Sequence, residues 1–178
     1  MYRNHLKCRA CGSNELEPVM NLGIQPLAND FVTVHDDQAG FAPLKVLFCP
    51  RCTLAQLSVV VDPKILYANY SYVTSPTVKM KNHFDRLFDD LGVNECRSIV
   101  EVGSNDGRLL KQWSDRKPDL RVMGIDPAKN LCELANAKGV TTFCGAMTSP
   151  TATAVRTVIS PDLVIARHCF CHADDWRE

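Results

Sequence analysis

The second half of the chain alternates short apolar runs with stretches of helical periodicity. The apolar runs predict buried strands at 98–103, 121–126, 140–145 and 162–167. Between them, helices are predicted to begin at Arg108, at Pro127 and at the Ser149-Pro150 pair. Strands and helices that alternate at such short intervals require a parallel sheet with right-handed crossovers. The pattern therefore predicts an α/β domain whose first four strands follow the spatial order 3-2-1-4.

The first half is predicted to contain short strands followed by one amphipathic helix. Strands are expected at 31–34, 44–48 and 57–61. A Ser75-Pro76 pair is expected to open the helix and Gly92 to end it. Apolar side chains recur at helical spacing between these signals, at Val78, Phe84, Leu87, Phe88 and Leu91. These patterns divide the chain into a small domain at 1–60, a tyrosine-rich connector with its helix at 61–95, and the α/β domain at 96–178.

Composition excludes several classes of protein. The 178 residues carry 20 Lys+Arg and 20 Asp+Glu, a balance that argues against a coat for nucleic acid or an anionic membrane. No apolar run approaches the roughly 20 residues of a membrane-spanning helix, and the N-terminus lacks the apolar core of a secretory signal. Nine cysteines, an odd number, are spread along the whole chain. Reduced thiols in the cytoplasm, some of them holding a metal, fit this better than disulfides do.

Two C-x-x-C pairs indicate a metal site in the first sixty residues. The pairs are Cys8 with Cys11 and Cys49 with Cys52, each beside a turn-forming Gly or Pro. Two such turns brought together form the tetrahedral four-thiolate site of a zinc-ribbon-like domain, and a closed site of this kind is structural, not catalytic. Two unrelated pairs of buried cysteines are the plainer alternative. A redox C-x-x-C would need a βαβ context, which neither pair has.

The loop after the first predicted strand of the α/β domain, EVGSNDG, indicates the ligand. A dinucleotide fold needs G-x-G-x-x-G, but Asn105 stands at the second glycine position. Glu101 and Asp106 disfavour a polyanion and suit a cationic ligand. Asp126 ends the second strand, 23 positions after Gly103, where an acid binds a ribose diol in such folds. S-adenosylmethionine (SAM) fits this combination, while an ordinary α/β sheet with an acidic loop and an NAD site remain as alternatives.

Three tyrosines lie within six residues of the connector, at Tyr67, Tyr70 and Tyr72. Tyrosine commonly packs between domains, and it also lines polar pockets. The spacing alone favours packing.

The sequence resembles the zinc-containing C-methyltransferases of deoxysugar biosynthesis along nearly its whole length. The segments that carry the resemblance are CRACGSNELEPVMNLGIQPLANDF, PLKVLFCPRCTLAQL, LYANYSYVTS, EVGSNDGRLL and ARHCFCHADDW. It implies an N-terminal zinc domain, a Rossmann-like class I SAM domain and a C-terminal domain that completes the sugar site. Members of the family methylate C3 of a nucleotide-linked 4-keto-deoxysugar through an enolate.

The resemblance also implies roles for individual residues. The four paired cysteines match the zinc ligands, and Tyr70 or Tyr72 matches a tyrosine that reaches the sugar site. His172 matches a histidine that faces the catalytic pocket, whereas His168 stands where asparagine is common. The residues that match the cofactor loop and ribose acid are Glu101, Gly103, Asn105, Gly107 and Asp126.

The family pattern further implies that the 178 residues are the N-terminal part of a larger enzyme. The fourth strand, interior in a complete sheet, is expected to be an exposed edge. The general base is expected beyond residue 178, so the isolated chain should bind zinc, bind SAM weakly and not turn over. Two alternatives are a non-catalytic zinc-ribbon and nucleoside-binding module, and a SAM methyltransferase acting on another small molecule.

Overall fold

The computed structural model describes residues 1–31, 40–67, 69–74 and 76–174. The chain divides into two compact units, one of Met1–Ala68 with Ala173–Glu178 and the other of Asn69–His172. We call them the N-terminal unit and the α/β unit. The segment predicted as a connector is divided between them, because the amphipathic helix belongs to the α/β unit. Of the strand predicted at 31–34, only Phe31 is described, and it lies outside any strand.

The N-terminal unit contains two small antiparallel sheets. Its strands are β1 (Tyr2–Asn4), β2 (Glu17–Pro26), β3 (Phe41–Phe48), β4 (Ala55–Leu57) and β5 (Val59–Val61), and a short helix α1 (Pro63–Tyr67) follows them. One sheet has the order β2-β3-β4, and the other pairs β1 with β5. The predicted strand at 57–61 is thus split at Ser58. The Ser58 N–H donates to Lys45 O at 2.9 Å, while its carbonyl accepts from the His5 N–H at 2.8 Å.

The α/β unit follows the predicted alternation of strands and helices. Its elements are α2 (Val78–Asp90), β6 (Ser98–Val102), α3 (Arg108–Arg116), β7 (Arg121–Asp126), α4 (Lys129–Ala137), β8 (Thr142–Cys144), α5 (Ser149–Val158) and β9 (Leu163–Ala166). Short 3₁₀ turns follow at Val93–Glu95 and Phe170–His172. The sheet is parallel with the order β8-β7-β6-β9, which confirms the predicted order. β9 is its edge strand, and Val164 is 55% exposed there.

The starts of two helices differ slightly from the prediction. Thr77 caps α2, because its hydroxyl oxygen accepts the Met80 N–H at 3.2 Å; the predicted cap, Ser75, lies outside the described residues. Thr148 caps α5 in the same way, so Ser149 is the first helical residue and not the cap. The apolar stripe of α2 is also narrower than predicted, since Val78 and Leu91 are exposed.

The larger of the two buried apolar clusters of the α/β unit lies between α2, α3 and the sheet. Phe84 and Phe88 of α2 are buried against Trp113 of α3. The Trp113 indole N–H donates to Phe84 O at 2.9 Å, and the Phe88 and Trp113 rings meet edge to face at 5.8 Å. Among the described residues, no helix is both long enough and apolar enough to cross a membrane.

Candidate functional site

The four paired cysteines converge in the N-terminal unit. Their Sγ atoms all lie within 4.8 Å of one another. The Cys8–Cys52 sulfur distance is 3.4 Å and the Cys11–Cys49 distance is 3.6 Å. A tetrahedral zinc ion with Zn–S bonds of ~2.3 Å places its ligand sulfurs about 3.8 Å apart. The cluster therefore fits zinc, as the sequence predicts.

Each cysteine pair sits in a backbone turn of the same design. In the first, the Cys8 N–H donates to Ser13 O at 2.8 Å and the Gly12 N–H donates to Cys8 O at 2.9 Å. In the second, the Cys49 N–H donates to Leu54 O at 2.9 Å and the Thr53 N–H donates to Cys49 O at 2.8 Å. The residue after each pair has a positive φ, 75° at Gly12 and 63° at Thr53. Each turn thus aims two thiols at one point.

Metal binding requires deprotonated thiols, and the cluster favours loss of the Cys8 proton, while the neighbouring thiols help to raise the pKa of Cys52 to about 12. Burial acts to raise the pKa of the Cys8 thiol. Hydrogen bonds from the backbone of Cys11 and Ala10 and from the neighbouring thiols outweigh it and lower that pKa to about 6.

Gln56 of β4 joins the two turns and was not anticipated from the sequence. It is buried, its side-chain oxygen accepts the Arg9 N–H at 2.9 Å, and its amide donates to Lys7 O at 3.1 Å. The strand that follows the second cysteine pair therefore holds the backbone around the first pair.

In the α/β unit, the predicted cofactor residues meet at the carboxyl ends of β6 and β7. The loop after β6 contains three residues with positive φ: Gly103 at 69°, Asn105 at 53° and Gly107 at 71°. A side chain at Gly103 would clash, because its Cβ would lie 2.8 Å from that of Cys169. The glycine is thus required both for its backbone conformation and for the close approach of the loop after β9.

Asp126 connects this loop to the end of β7. One carboxylate oxygen accepts the Asn105 N–H at 2.8 Å, and the other accepts the Ala128 N–H at 2.9 Å. Burial raises the pKa of Asp126, although these two hydrogen bonds oppose the shift. Each oxygen retains a second lone pair, so the carboxylate can still accept hydroxyl groups such as those of a ribose.

Glu101 of β6 lies at the centre of the sheet and is 0% exposed. Its Oε1 accepts two hydrogen bonds from Arg167, from Nε at 2.9 Å and from Nη2 at 2.6 Å. Its Oε2 has no hydrogen-bond partner among the described residues. A buried carboxylate oxygen without a partner fits a ligand that brings a donor, as the α-amino group of SAM would.

Asp106, also predicted as a cofactor residue, is buried and paired within the protein. Its carboxylate contacts the ammonium group of Lys138, and Arg108 Nε lies 3.9 Å away. This geometry gives Asp106 a part in holding the loop against the end of α4. Its contact with the cofactor stays a prediction.

Two asparagines hold the tyrosine-rich segment. The Asn105 side-chain oxygen accepts the Thr74 N–H at 3.1 Å, and its amide donates to Tyr72 O at 3.0 Å. The side chain of Asn130, in the first turn of α4, binds both Tyr70 N at 3.1 Å and Tyr70 O at 2.9 Å. Residues 70–74 are therefore fixed beside the cofactor loop, and Asn130 is a second residue that sequence reasoning missed.

The two histidines lie in the loop after β9. His172 is exposed at the end of its 3₁₀ turn, and His168 has a positive φ of 54°. The loop is anchored by Cys169, whose thiol donates to Val102 O at 3.1 Å. The catalytic roles of Tyr70, Tyr72 and His172 stay predictions.

Comparison with known proteins finds a different family model for each of the two units. A family model for a zinc binding domain matches residues 8–67, and one for a methyltransferase domain matches residues 100–178. The C-methyltransferase NovU of Streptomyces niveus is 35% identical over 97% of the chain, which spans 42% of the length of NovU.

Similar solved structures are more distant. The plantazolicin methyltransferase BpumL, in a complex with a triazolic desmethylPZN analog and SAH, aligns with 58% of this chain and 40% of its own at 17% identity and a TM-score of 0.43. A SAM-dependent methyltransferase of Thermotoga maritima aligns with 55% of this chain and 44% of its own at 22% identity and a TM-score of 0.35.

Proposed function

Because the chain belongs to the zinc-containing, SAM-dependent C-methyltransferase family, we propose that it takes part in methylating a carbon atom of a nucleotide-linked 4-keto-deoxysugar. The α/β unit is assigned to the cofactor and the N-terminal unit to the structural zinc ion. C3, next to the keto group, is the proposed acceptor.

The observation that carries the proposal is the pair of carboxylates at the ends of two adjacent parallel strands. Asp126 ends β7. Glu101 lies one residue before the end of β6, the parallel strand that pairs with β7. We assign Asp126 to the ribose hydroxyls and the unpartnered oxygen of Glu101 to the α-amino group. Asn105 and Gly103 shape the loop that the methionine part would contact.

Carbon methylation suits a ketone substrate. A base removes the proton on the carbon next to the carbonyl, and the electron pair of that C–H bond forms an enolate. Bound SAM would supply the methyl group as an electrophile: the new C–C bond would form at the enolate carbon, and the electrons of the broken S–C bond would stay on sulfur. The protein places the two carbons in line, and Tyr70, Tyr72 and His172 are the described residues proposed to bind the sugar or move its protons.

Calorimetry with S-adenosylhomocysteine (SAH) tests the cofactor assignment. The wild-type chain should bind SAH, and Asp126→Asn should weaken binding by about tenfold or more, the worth of a charge-assisted hydrogen bond. Asp115→Asn, at an exposed position on α3, is the matched control and should bind as the wild type does. Absence of SAH binding by the zinc-loaded wild type would favour a non-catalytic module instead.

The acceptor is tested with the natural polypeptide that carries this sequence, ¹³C-methyl-labelled SAM and a nucleotide-linked 4-keto-6-deoxysugar. The expected product carries the label as a carbon-bound methyl group in the NMR spectrum. Exchange of the α-proton in D₂O without SAM would reveal enolate formation separately. A label on oxygen, or transfer only to unrelated small molecules, would overturn the proposed acceptor.

A further inference from the structure

Arg167 has no role in the resemblance or in the proposed function, yet it forms an ion pair with Glu101, one of the residues assigned to the cofactor. It follows β9 directly, is 24% exposed and donates two hydrogen bonds to the same oxygen of Glu101. A planar guanidinium usually spans both oxygens of a carboxylate. Here both bonds fall on Oε1, and Oε2 is left buried without a described partner.

The guanidinium is itself held in place. Its carbon lies 4.8 Å from the ring centroid of Phe84, a buried residue of α2, in a cation–π contact. The Cys169 thiol, two residues later, donates to Val102 O and anchors the loop to β6. The Phe84 ring therefore holds the Arg167 side chain, and the Cys169 anchor holds its backbone. Together they fix the orientation of the Glu101 carboxylate that Arg167 binds.

We propose that Arg167 is a positioning residue for the cofactor: it binds one oxygen of Glu101 so that the other faces the α-amino group of SAM. This inference rests on the proposed function, in which the α/β unit binds SAM. Arg167 contacts the carboxylate and not the cofactor, so its effect is confined to the amino-acid end of the ligand.

The charges around Glu101 explain why such a partner is needed. Burial raises the pKa of Glu101 to about 7, with smaller contributions from the charges of Asp126 and Asp106 and against the opposing effect of Arg167. Among the described residues, the Cys169 thiol is a further titratable group that interacts electrostatically with Glu101. Without Arg167, the carboxyl group should hold its proton to a higher pH and lose its attraction for an ammonium group.

The test compares two ligands across pH 6 to 9 by calorimetry, using the wild-type chain and Arg167→Met. SAH carries the α-amino group, whereas 5′-methylthioadenosine shares the nucleoside and lacks the amino-acid part. We expect Arg167→Met to bind SAH about tenfold or more weakly at pH 7, with the pH midpoint of binding moved upward, and to bind 5′-methylthioadenosine unchanged. Arg167→Lys, which keeps the charge, should restore most of the affinity.

Arg156→Met, at an exposed position on α5, is the matched control and should bind both ligands as the wild type does. If Arg167→Met does not fold, Arg167→Gln replaces it with the same expectations. Unchanged SAH binding across the pH range, or an equal loss for both ligands, would overturn the inference alone. Failure of the wild type to bind SAH would overturn the proposed function as well.

Discussion

The two units of this protein are stabilised in different ways. In the N-terminal unit, the buried apolar cluster consists of Leu27, Ala42 and Val59. In the α/β unit, two clusters bury large side chains from all layers, with Trp113, Phe84 and Phe88 the largest among them. Burial of apolar area is the main source of folding free energy, and the described residues of the N-terminal unit bury much less of it than those of the α/β unit do. The four-thiolate cluster of the N-terminal unit fills that deficit.

The difference also bears on where each unit places charge. The α/β unit buries the carboxylates of Glu101, Asp106 and Asp126 near the carboxyl ends of β6 and β7. Buried carboxylates oppose folding unless they are paired. The folding free energy of a large core can offset that cost. The buried carboxylates then form an acidic site that suits a cationic ligand. The N-terminal unit uses its buried polar atoms for the metal and for its own backbone.

Removal of zinc should therefore give the largest difference between the two units. Cys49→Ser, or chelation of the metal, should unfold the N-terminal unit, because a structural zinc site contributes on the order of 10 kcal/mol. Amide NMR spectra should lose the dispersed signals of that unit and keep those of the α/β unit. Cys171→Ser changes an exposed thiol and should leave zinc content and spectra unchanged. Retention of the dispersed signals in the metal-free protein would contradict the comparison.

Truncation of the aromatic core should have the reverse effect. Trp113→Ala should lower the free energy of unfolding of the α/β unit by about 3–5 kcal/mol, since it opens a cavity and removes the donor to Phe84 O. Urea unfolding measures the loss, and zinc content should stay at one ion per chain. Leu134→Ala, at an exposed position on α4, should have little effect on the same curve. Loss of zinc in the Trp113 variant would show that the units are not independent.

The buried acids predict an unusual dependence of stability on pH. Burial raises the pKa of Glu101 from 4.5 to about 7 despite the opposing charge of Arg167. Between these values the folded state binds the proton more tightly, so the stability contributed by Glu101 falls as the pH rises from about 4.5 to about 7, by roughly 3 kcal/mol.

Unfolding free energies of the wild type and of Glu101→Gln, measured from pH 5 to pH 8, isolate this effect. The difference between the two curves should change across that window and level off above it. Glu133→Gln, on the exposed side of α4, should give a curve parallel to the wild type. Parallel curves for Glu101→Gln would rule out the raised pKa.

The smallest expected effect concerns Gln56. Gln56→Ala removes both hydrogen bonds that tie β4 to the first cysteine turn and should cost about 1–3 kcal/mol in the N-terminal unit. Zinc should be lost faster to a chelator, which a colorimetric competition assay follows. Gln25→Ala removes a side chain that donates to the nearby Leu22 O, and this variant should release zinc at the wild-type rate.

Local patterns were sufficient to predict most of the α/β unit. Strands β6, β7 and β9 lie within one residue of their predicted bounds, because buried parallel strands are continuous apolar runs. The caps of α2 and α5 were misplaced by one or two residues, since Ser and Thr can both cap a helix and lie within two residues of each other at both helix starts. The metal site was predicted because a two-residue spacer lets both cysteines of a pair bind the same metal ion.

What sequence reasoning missed depends on distant partners or on irregular strands. Gln56 binds backbone groups more than forty residues away, and Arg167 reaches Glu101 across 66 positions, so no local pattern reports either contact. β2 was not predicted because nearly all its residues are exposed and its register with β3 shifts twice. Without alternating burial, such a strand has no period-2 signal.

The divided strand at Ser58 links the two sheets of the N-terminal unit through a single peptide segment. Its N–H serves the sheet of β3, and its carbonyl serves β1 through His5. Neither sheet can open at this point without disturbing the other, so the unit should unfold cooperatively in spite of its small core. The amides of His5 and Ser58 should then exchange with deuterium at one common rate, set by the opening of the whole unit and not by local fraying.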